Sequence, residues 1–245
     1  MLSYNVQTSI GGRKVNEDCA NCFQAPVGDC FILCDGLGGH GFGDIASQLV
    51  CAEFERSVVN TTKSDPISVL SEALLAAQAA LHEKQKEMRC ERAMLTTACA
   101  LIVTPEQFVY SYIGDSRIYF FDEKRGYVRT MDHSVPQMLV ASGLIAERAI
   151  RKHPDRSRIL RAMGTEWESI PFEVAVRERP AMGKGAVLLC TDGLWEWVLE
   201  REMIRLRSRS ATPEQWLTEM MCLAEKRAAR SNMDNHTGIA IFASM

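Results

Sequence analysis

The sequence lacks an excess of charge of either sign. Its 245 residues include 28 Lys and Arg against 31 Asp and Glu, which gives a net charge of -3 at pH 7. Domains that bind nucleic acids usually present a strongly basic face. The composition therefore argues against a nucleic-acid partner.

Long hydrophobic runs are also missing. No apolar run approaches the roughly 20 residues that are needed to span a bilayer. Residues 1–6 have neither the charged start nor the apolar centre of a secretory signal. From these features we expect a cytoplasmic protein without a membrane contact.

No Pro-, Ser- or Gly-rich linker, internal repeat or low-complexity segment divides the chain. Its composition, 47% hydrophobic and 24% charged, is ordinary for a globular protein, and its length allows a sizeable core. We therefore expect one domain over residues 1–245.

The nine cysteines are an odd number and are scattered through apolar segments. This usage is typical of reduced, buried thiols in a cytosolic protein rather than of a disulfide framework. Zinc is an alternative, because Cys19 and Cys22 lie near Cys30 and Cys34. Residues three apart on a strand point to opposite faces, which favours core cysteines over zinc ligands.

Hydrophobic periodicity predicts a strand-rich chain with two long helices early and another late, rather than regular alternation of strands and helices. Asp65 and Pro66 have the features of a helix start, and Thr212 to Gln215 those of a capping box. The arrangement predicts a layered α+β fold with helices on the outer faces of a sheet or sandwich. Strands are expected at 4–8, 19–24, 30–34, 95–103, 108–113, 117–121, 126–130, 172–176, 186–190 and 236–242, and helices at 42–59, from 66, at 134–142 and from 213.

Acidic residues recur where apolar strands end or turn. If the fold gathers them, two like charges about 4 Å apart repel by roughly 4 kcal/mol at an effective dielectric constant near 20. Protonation or divalent cations would relieve that repulsion. Oxygen ligands suit Mg²⁺ or Mn²⁺, and no EF-hand ladder is present. The acidic positions are Glu17, Asp18, Asp35, Asp115, Asp192 and Asp234.

A glycine-rich segment, residues 36–41, matches the G-x-G-x-x-G fingerprint of dinucleotide-binding proteins, which suggests an oxidoreductase. Asp35 directly before it would repel a pyrophosphate. The acidic residue that should follow a second strand is also missing, since Glu53 and Glu55 lie in a helical pattern. We favour the interpretation that the glycines allow a close backbone approach.

Six motifs in order resemble those of the metal-dependent protein phosphatases, the PPM or type 2C Ser/Thr phosphatases, in their compact bacterial form. The resemblance implies a four-layer αββα sandwich, in which two antiparallel β-sheets are flanked by helices and the metals lie at one end. The motifs are 13–18 (RKVNED), 34–40 (CDGLGGH), 114–117 (GDSR), 132–134 (DHS), 191–194 (TDGL) and 234–237 (DNHT).

The resemblance also implies roles for individual residues in binding two Mn²⁺ or Mg²⁺ ions and a third, weaker one. Asp35 would bridge two ions, with the Gly36 carbonyl on one of them. Asp192 and Asp234 would bind the other ion. The remaining roles are metal-bound water or direct ligation for Glu17, metal-bound water for Asp18, the third ion for Asp115 and substrate phosphate for Arg13.

The reaction implied by the resemblance is direct attack of a hydroxide, held between two metals, on phosphoserine or phosphothreonine. The implied partners are phosphorylated proteins and the Ser/Thr kinase that modifies them, and a monomer is expected. A catalytically silent, scaffold-like member is the alternative, but it would lack ligands that this chain retains.

The chain departs from the family pattern at one position. Many eukaryotic members have a His after the Asp-Gly pair as the proposed general acid, whereas this chain has Leu37. Nothing in the sequence shows that His40 replaces it, and metal-bound water is the other proton source. We expect structural or substrate-edge roles for His133, His153 and His236, and core positions for Trp195 and Trp197.

Residues 153–164 fall where the family has a variable flap. The segment is rich in arginine, with Arg156, Arg158 and Arg161. Two interpretations are open: the arginines contact a phosphoprotein, or they form a solvated face.

Overall fold

The computed structural model describes residues 2–38, 41–90, 93–122, 126–169, 172–179, 185–229 and 231–243. Within them, ten strands form two antiparallel sheets of five strands each. The first sheet has the order β1 (Leu2–Ser9), β10 (His236–Ala243), β9 (Gly185–Cys190), β6 (Arg117–Asp122) and β7 (Gly126–Arg129). The second has the order β2 (Asp18–Ala25), β3 (Gly28–Asp35), β4 (Ala98–Val103), β5 (Gln107–Ile113) and β8 (Ala175–Glu178).

Helices cover the outer face of each sheet. Two long helices, α1 (Gly43–Val59) and α2 (Pro66–Met88), pack on the second sheet. The first sheet is covered by α4 (Asp192–Trp195), α5 (Glu200–Arg209) and α6 (Pro213–Ala228). A short helix α3 (Val135–Ala141) and a 3₁₀ helix (Glu147–Lys152) lie between β7 and β8 in the chain. The expected αββα sandwich is confirmed.

Strand β3 shows how the apolar pattern produces the layers. Cys30, Ile32 and Cys34 pack in the core under α1 and α2, whereas Phe31 and Leu33 pack in the core between the two sheets. Alternate side chains of a strand point to opposite faces, so a strand that is apolar at every position is buried on both. Such a strand delivers its terminal residue to the end of the sandwich.

The predicted helix starts are confirmed with one change. The Asp65 carboxylate accepts a hydrogen bond from Ser68 N at 3.0 Å, and Pro66 opens α2. Thr212 Oγ1 accepts from Gln215 N at 3.1 Å. The Gln215 side chain, however, accepts from the backbone of Ala211 instead of closing the box on Thr212.

Two element predictions were wrong in part, and one helix was not predicted. Strand β4 begins at Ala98 rather than 95, because Thr96 forms isolated β-bridges with Gly36 and with Met163 instead of continuing the strand. Strand β8 covers Ala175–Glu178 rather than 172–176. Helix α5 was not predicted, since its ten residues are mostly charged and the apolar residues that it buries are only Met203 and Leu206.

The cysteines are all free thiols. Burial raises the pKa of Cys22 and Cys30 to about 12, which makes both thiols unreactive at neutral pH. Cys222 is an exception to the predicted burial, because it lies on an exposed position of α6. No helix in the described part of the chain is long and apolar enough to cross a membrane.

Candidate metal centre

A cavity of about 420 Å³ contains all but one of the residues that were predicted to bind metal or phosphate. Asp18 is the exception: it is buried beside this cavity rather than lining it. The loop at 153–164 also contributes to the walls. The lining residues are Arg13, Glu17, Asp35, Gly36, Leu37, Gly38, Asp115, Ser157, Ile159, Asp192 and Asp234.

The register of the second sheet brings two carboxylates together. Asp18, the first residue of β2, is the direct cross-strand partner of Asp35, the last residue of β3. Residues directly opposite each other in an antiparallel pair have side chains on the same face, about 5 Å apart at Cβ. Two acids therefore meet at the mouth of the sandwich because of strand pairing alone.

The first sheet supplies two more carboxylates at the same end. Asp192 follows β9 and Asp234 precedes β10, and these strands are antiparallel neighbours. Thr191 links the two sheets: its N–H donates to Thr237 O at 3.1 Å, and its hydroxyl donates to Asp18 Oδ2 at 3.0 Å.

Several positions at the site must be glycine, because other groups of the protein lie too close to their backbone to leave room for a Cβ. A Cβ on Gly36 would overlap the carbonyl of Gly43, and one on Gly38 would overlap the Glu17 carboxylate. At Gly193, which follows Asp192, a Cβ would overlap the carbonyl of Asn235. The glycine-rich segment thus packs on protein groups of the acidic site.

Two threonines hold Asp35 by its backbone. Asp35 N donates to Thr97 Oγ1 at 2.9 Å, and Thr96 Oγ1 donates to Asp35 O at 2.9 Å. Thr97 also shares a hydrogen bond of 2.8 Å with the hydroxyl of Ser116, next to Asp115. This role of the two threonines was not predicted from the sequence, where its only signal is a Thr pair directly before an apolar strand.

Asn235 fixes the loop that bears Arg13 and Glu17. Its side chain donates to the carbonyls of Ile10 and Val15, at 2.8 and 3.0 Å, and accepts from Glu17 N at 2.9 Å. The residue is buried, so these bonds replace water. This anchoring role was also missed, since only Asp234 of this motif was given a function.

Arg13 reaches the acidic site from the exposed loop. Its Nη2 lies 2.7 Å from Asp234 Oδ2, and both side chains are 46% exposed. The guanidinium therefore contacts a predicted metal ligand directly, at the open side of the cavity.

The carboxylates raise one another's pKa values. Burial is the main cause for each, and repulsion from neighbouring acids adds to it. The pKa of Asp18 and that of Asp115 rise to about 7, and those of Asp35 and Asp192 rise well above their usual range. Burial and the neighbouring Asp44 also raise the pKa of Glu17, against the opposing effects of Arg13 and of a hydrogen bond from Gly43 N–H.

The oxygen donors at the site suit hard divalent cations, although their side chains are not yet close enough together to hold an ion. Within the described residues, no three His, Cys, Asp or Glu side chains are already arranged to hold an ion. All the donors are oxygens, however, and Asp18 Oδ1 is buried without a hydrogen-bond partner. Oxygen-only sites select Mg²⁺ or Mn²⁺, and crowded carboxylates spread apart without a counter-charge.

A family model described as "Protein phosphatase 2C" matches residues 8–235. The chain belongs to the protein phosphatase 2C family. The serine/threonine phosphatase stp of Listeria innocua is 31% identical over 202 residues, which cover 78% of this chain and 77% of that protein.

Solved structures of protein phosphatase 2C relatives have the same fold. Stp1 from Staphylococcus aureus has a TM-score of 0.90 at 27% identity, covering 100% of this chain and 96% of the other. The catalytic domain of the phosphatase PstP, in complex with two manganese ions, has a TM-score of 0.83 at 25% identity, with coverage of 100% and 99%. The dinucleotide-binding alternative is therefore wrong, and α1 and α2 follow the glycines where a βαβ unit would need a strand.

In this protein phosphatase 2C chain, the histidines that the structure describes are held by hydrogen bonds, ring stacking and burial outside the acidic cavity. His133 accepts from Gly114 N at 3.1 Å, stacks on Tyr112 at 5.0 Å, and has a pKa lowered to about 4, mainly by burial. His236 is fully buried, and the His153 ring accepts from Asp155 N. None of these three lines the acidic cavity, and His40 lies outside the described residues.

The predicted core positions of the tryptophans agree with the structure. Trp195 is buried against the first sheet, and its indole N–H donates to Asp115 O at 3.0 Å. Trp197 packs at the edge of the same core.

The loop at 153–164 is anchored rather than free. Bridges join Ser134 to Ile159 and Thr96 to Met163, and Arg156 forms an ion pair with Glu196. Arg156 is therefore tied to the segment that follows Asp192. Arg158 lies exposed at the rim, where both interpretations of the loop arginines stay open.

Proposed function

We propose that this chain is a metal-dependent phosphatase that hydrolyses phosphoserine and phosphothreonine in proteins, through one catalytic domain that spans residues 1–245. The observation that carries the proposal is the meeting of four strand-end aspartates, two from each sheet, beside an exposed arginine. Family membership supports the same activity.

The metal ligands in this proposal are Asp35, the Gly36 carbonyl, Asp192 and Asp234, with Glu17 and Asp115 as further donors. Two Mn²⁺ or Mg²⁺ ions, when bound, would acidify a water molecule and withdraw charge from the phosphoryl oxygens. The solved structure of the PstP catalytic domain in complex with two manganese ions supports this choice of metal.

Arg13 binds the substrate phosphate in this proposal. Its guanidinium has five N–H donors, and the bond to Asp234 leaves others for phosphoryl oxygens. Asp18 orients water, because its buried Oδ1 is an acceptor without a protein partner. Leu37 lines the cavity but has no proton to give, so the proton for the departing Ser or Thr oxygen comes from water.

A cytoplasmic monomer that opposes a Ser/Thr kinase completes the proposal. Its partners are phosphorylated proteins that present a flexible phosphorylated segment to the open cavity. The free thiols of the chain support a reducing compartment.

Hydrolysis of a phosphothreonine peptide, with Mn²⁺ and with excess EDTA, tests the proposed function. We expect turnover with Mn²⁺, its loss in EDTA and its recovery when Mn²⁺ is restored. Activity that survives exhaustive chelation would refute metal dependence. Metal binding without turnover of any phosphopeptide would identify the scaffold-like alternative instead.

A further inference from the structure

A second cavity, of about 450 Å³, lies on the outer face of the first sheet. It is enclosed by β6 and β7, the 3₁₀ helix and the first turn of α5. Its size falls in the range of about 300–1,000 Å³ that is typical of small-ligand sites. Six basic side chains line it, in two groups of three.

The inner group is neutralised by carboxylates. Buried Arg117 binds Asp132 through two hydrogen bonds, of 2.8 and 2.7 Å. Arg129 pairs with Glu147 at 2.7 Å, and Arg151 pairs with Glu200 at 2.7 Å. These three arginines therefore form a rigid, charge-balanced floor.

The outer group is not neutralised. Arg148, Lys152 and Arg201 line the cavity with exposed side chains, and none has an ion-pair partner among the residues that the structure describes. The floor is balanced, so these three leave the cavity with an excess of three positive charges. Arginine forks and lysine ammonium groups on a preformed cavity suit a phosphoryl dianion.

We propose that this basic cavity is a second phosphoryl-binding site, separate from the metal centre. It takes the phosphoryl group of a phosphorylated side chain or of free phosphate. The cavity has no residue in common with the acidic cavity, and Trp195 lies between the two. Arg151 Nε donates to Trp195 O at 2.9 Å, and the Trp195 indole donates to Asp115 O on the other side.

Site-resolved NMR of the full chain in Mg²⁺ tests the proposal. Backbone amide signals are followed during titration with inorganic phosphate, and separately with a peptide that bears a non-hydrolysable phosphonate analogue of phosphothreonine. We expect saturable shifts at residues 148–152 and 199–201, weakened by added salt because the attraction is electrostatic. Tighter binding of the peptide identifies a phosphorylated side chain as the ligand, and tighter binding of phosphate identifies the free ion.

A charge-matched pair of variants makes the test specific. Arg148→Gln/Lys152→Gln/Arg201→Gln should weaken binding at these amides by about tenfold or more, as expected from the loss of about 1.4 kcal/mol or more. The control Lys86→Gln/Arg89→Gln/Lys226→Gln removes three exposed cations from the end of α2 and from α6, away from this cavity, and should retain the affinity within about twofold.

Shifts that do not saturate, or that are equally weakened in both variants, would overturn the proposal. The readout does not depend on turnover, so it stands apart from the test of phosphatase activity. Melting temperatures of both variants, which alter only exposed side chains, verify that each is folded.

Discussion

The buried aspartates of the acidic cavity, Asp35, Asp115 and Asp192, are unfavourable for folding when they are charged, because burial and neighbouring acids raise their pKa values. Replacing Asp35 or Asp192 by Asn should lower Mn²⁺-dependent turnover by at least about 100-fold, because a proposed ligand to the metal is lost. The metal-free melting temperature should stay level or rise, because a crowded, buried charge is removed. Phosphopeptide kinetics and thermal melts in EDTA measure the two effects.

Asp29→Asn is the matched control, because Asp29 lies at the other end of the same strand β3. It should leave turnover within about twofold of the unaltered chain. Equal turnover in Asp35→Asn and Asp29→Asn would contradict the role of Asp35.

The raised pKa values predict how pH affects the metal-free protein. An unfolded Asp has a pKa of about 3.9, whereas the pKa of Asp18 and that of Asp115 are about 7 in the fold. Between these values the folded chain binds more protons than the unfolded chain, so its stability falls as pH rises. Buried His133, with a pKa of about 4, acts in the opposite direction but is one group against several acids.

The melting temperature in EDTA should therefore be lower at pH 8 than at pH 5. Asp18→Asn should show a smaller decrease, because one of the responsible carboxyls is gone. A melting temperature that rises over this range, or an unchanged decrease in Asp18→Asn, would count against the assignment.

Asn235 is expected to be the most sensitive uncharged residue of the site. Asn235→Ala removes three hydrogen bonds that a buried side chain forms with the loop, at a cost of about 2–4 kcal/mol in the free energy of unfolding. Turnover should fall as well, because the loop with Arg13 and Glu17 loses its anchor. Urea unfolding and phosphopeptide kinetics measure both, and the exposed Asn60→Ala serves as the control. An Asn235→Ala variant as stable and active as that control would refute the anchoring role.

At the scale of elements, the turn from β9 into α4 requires glycine at position 193, where there is no room for a side chain. Gly193→Ala would push a Cβ into the carbonyl of Asn235, which forces the ends of β9 and β10 apart. We expect a destabilisation of about 1–3 kcal/mol, typical of overpacking in the core, and weaker binding of Mn²⁺ by the proposed ligands Asp192 and Asp234. Thermal melts and Mn²⁺ titration measure these changes.

Gly126→Ala is the comparison for Gly193→Ala, because among the described residues a Cβ there meets no atom within 4 Å. Its positive φ of 81° gives the new side chain backbone strain of about 1 kcal/mol and no clash. Similar effects of the two substitutions would show that packing at Gly193 is unimportant.

The elements that the sequence predicts best are those with a strong period or cap. Continuous apolar runs predict β3 and β9, and Asp65 and Pro66 predict the start of α2. Helix α5 could not be predicted in this way, because its charged residues are held by tertiary contacts, such as Glu202 with Arg227 at 2.7 Å. The acidic residues could be listed from motifs, but Thr97 and Asn235 act through backbone groups that are distant in sequence.

At the scale of the molecule, the proposed metal centre draws its carboxylates from both sheets. Asp18 and Asp35 belong to the second sheet, and Asp192 and Asp234 flank strands of the first. A cation shared between them should stabilise the whole sandwich, by about 2.7 kcal/mol when its concentration is 100 times the Kd.

Saturating Mn²⁺ should therefore raise the melting temperature of the unaltered chain. The increase should be much smaller in Asp35→Asn, which loses the proposed bridging ligand. An equal increase in both proteins would mean that Mn²⁺ stabilises the chain elsewhere.

Because Asp18 pairs directly with Asp35, the rate of turnover also depends on the correct register of β2 against β3. A slip of β2 by one residue along β3 would turn Asp18 to the opposite face and bring Cys19 against Asp35. Such a slipped molecule could keep its strand content and most of its apolar burial, yet it would have no acidic pair. Turnover per molecule would thus report the fraction of chains in a preparation that have the correct register. Circular dichroism would not detect the slipped chains, because their strand content is unchanged.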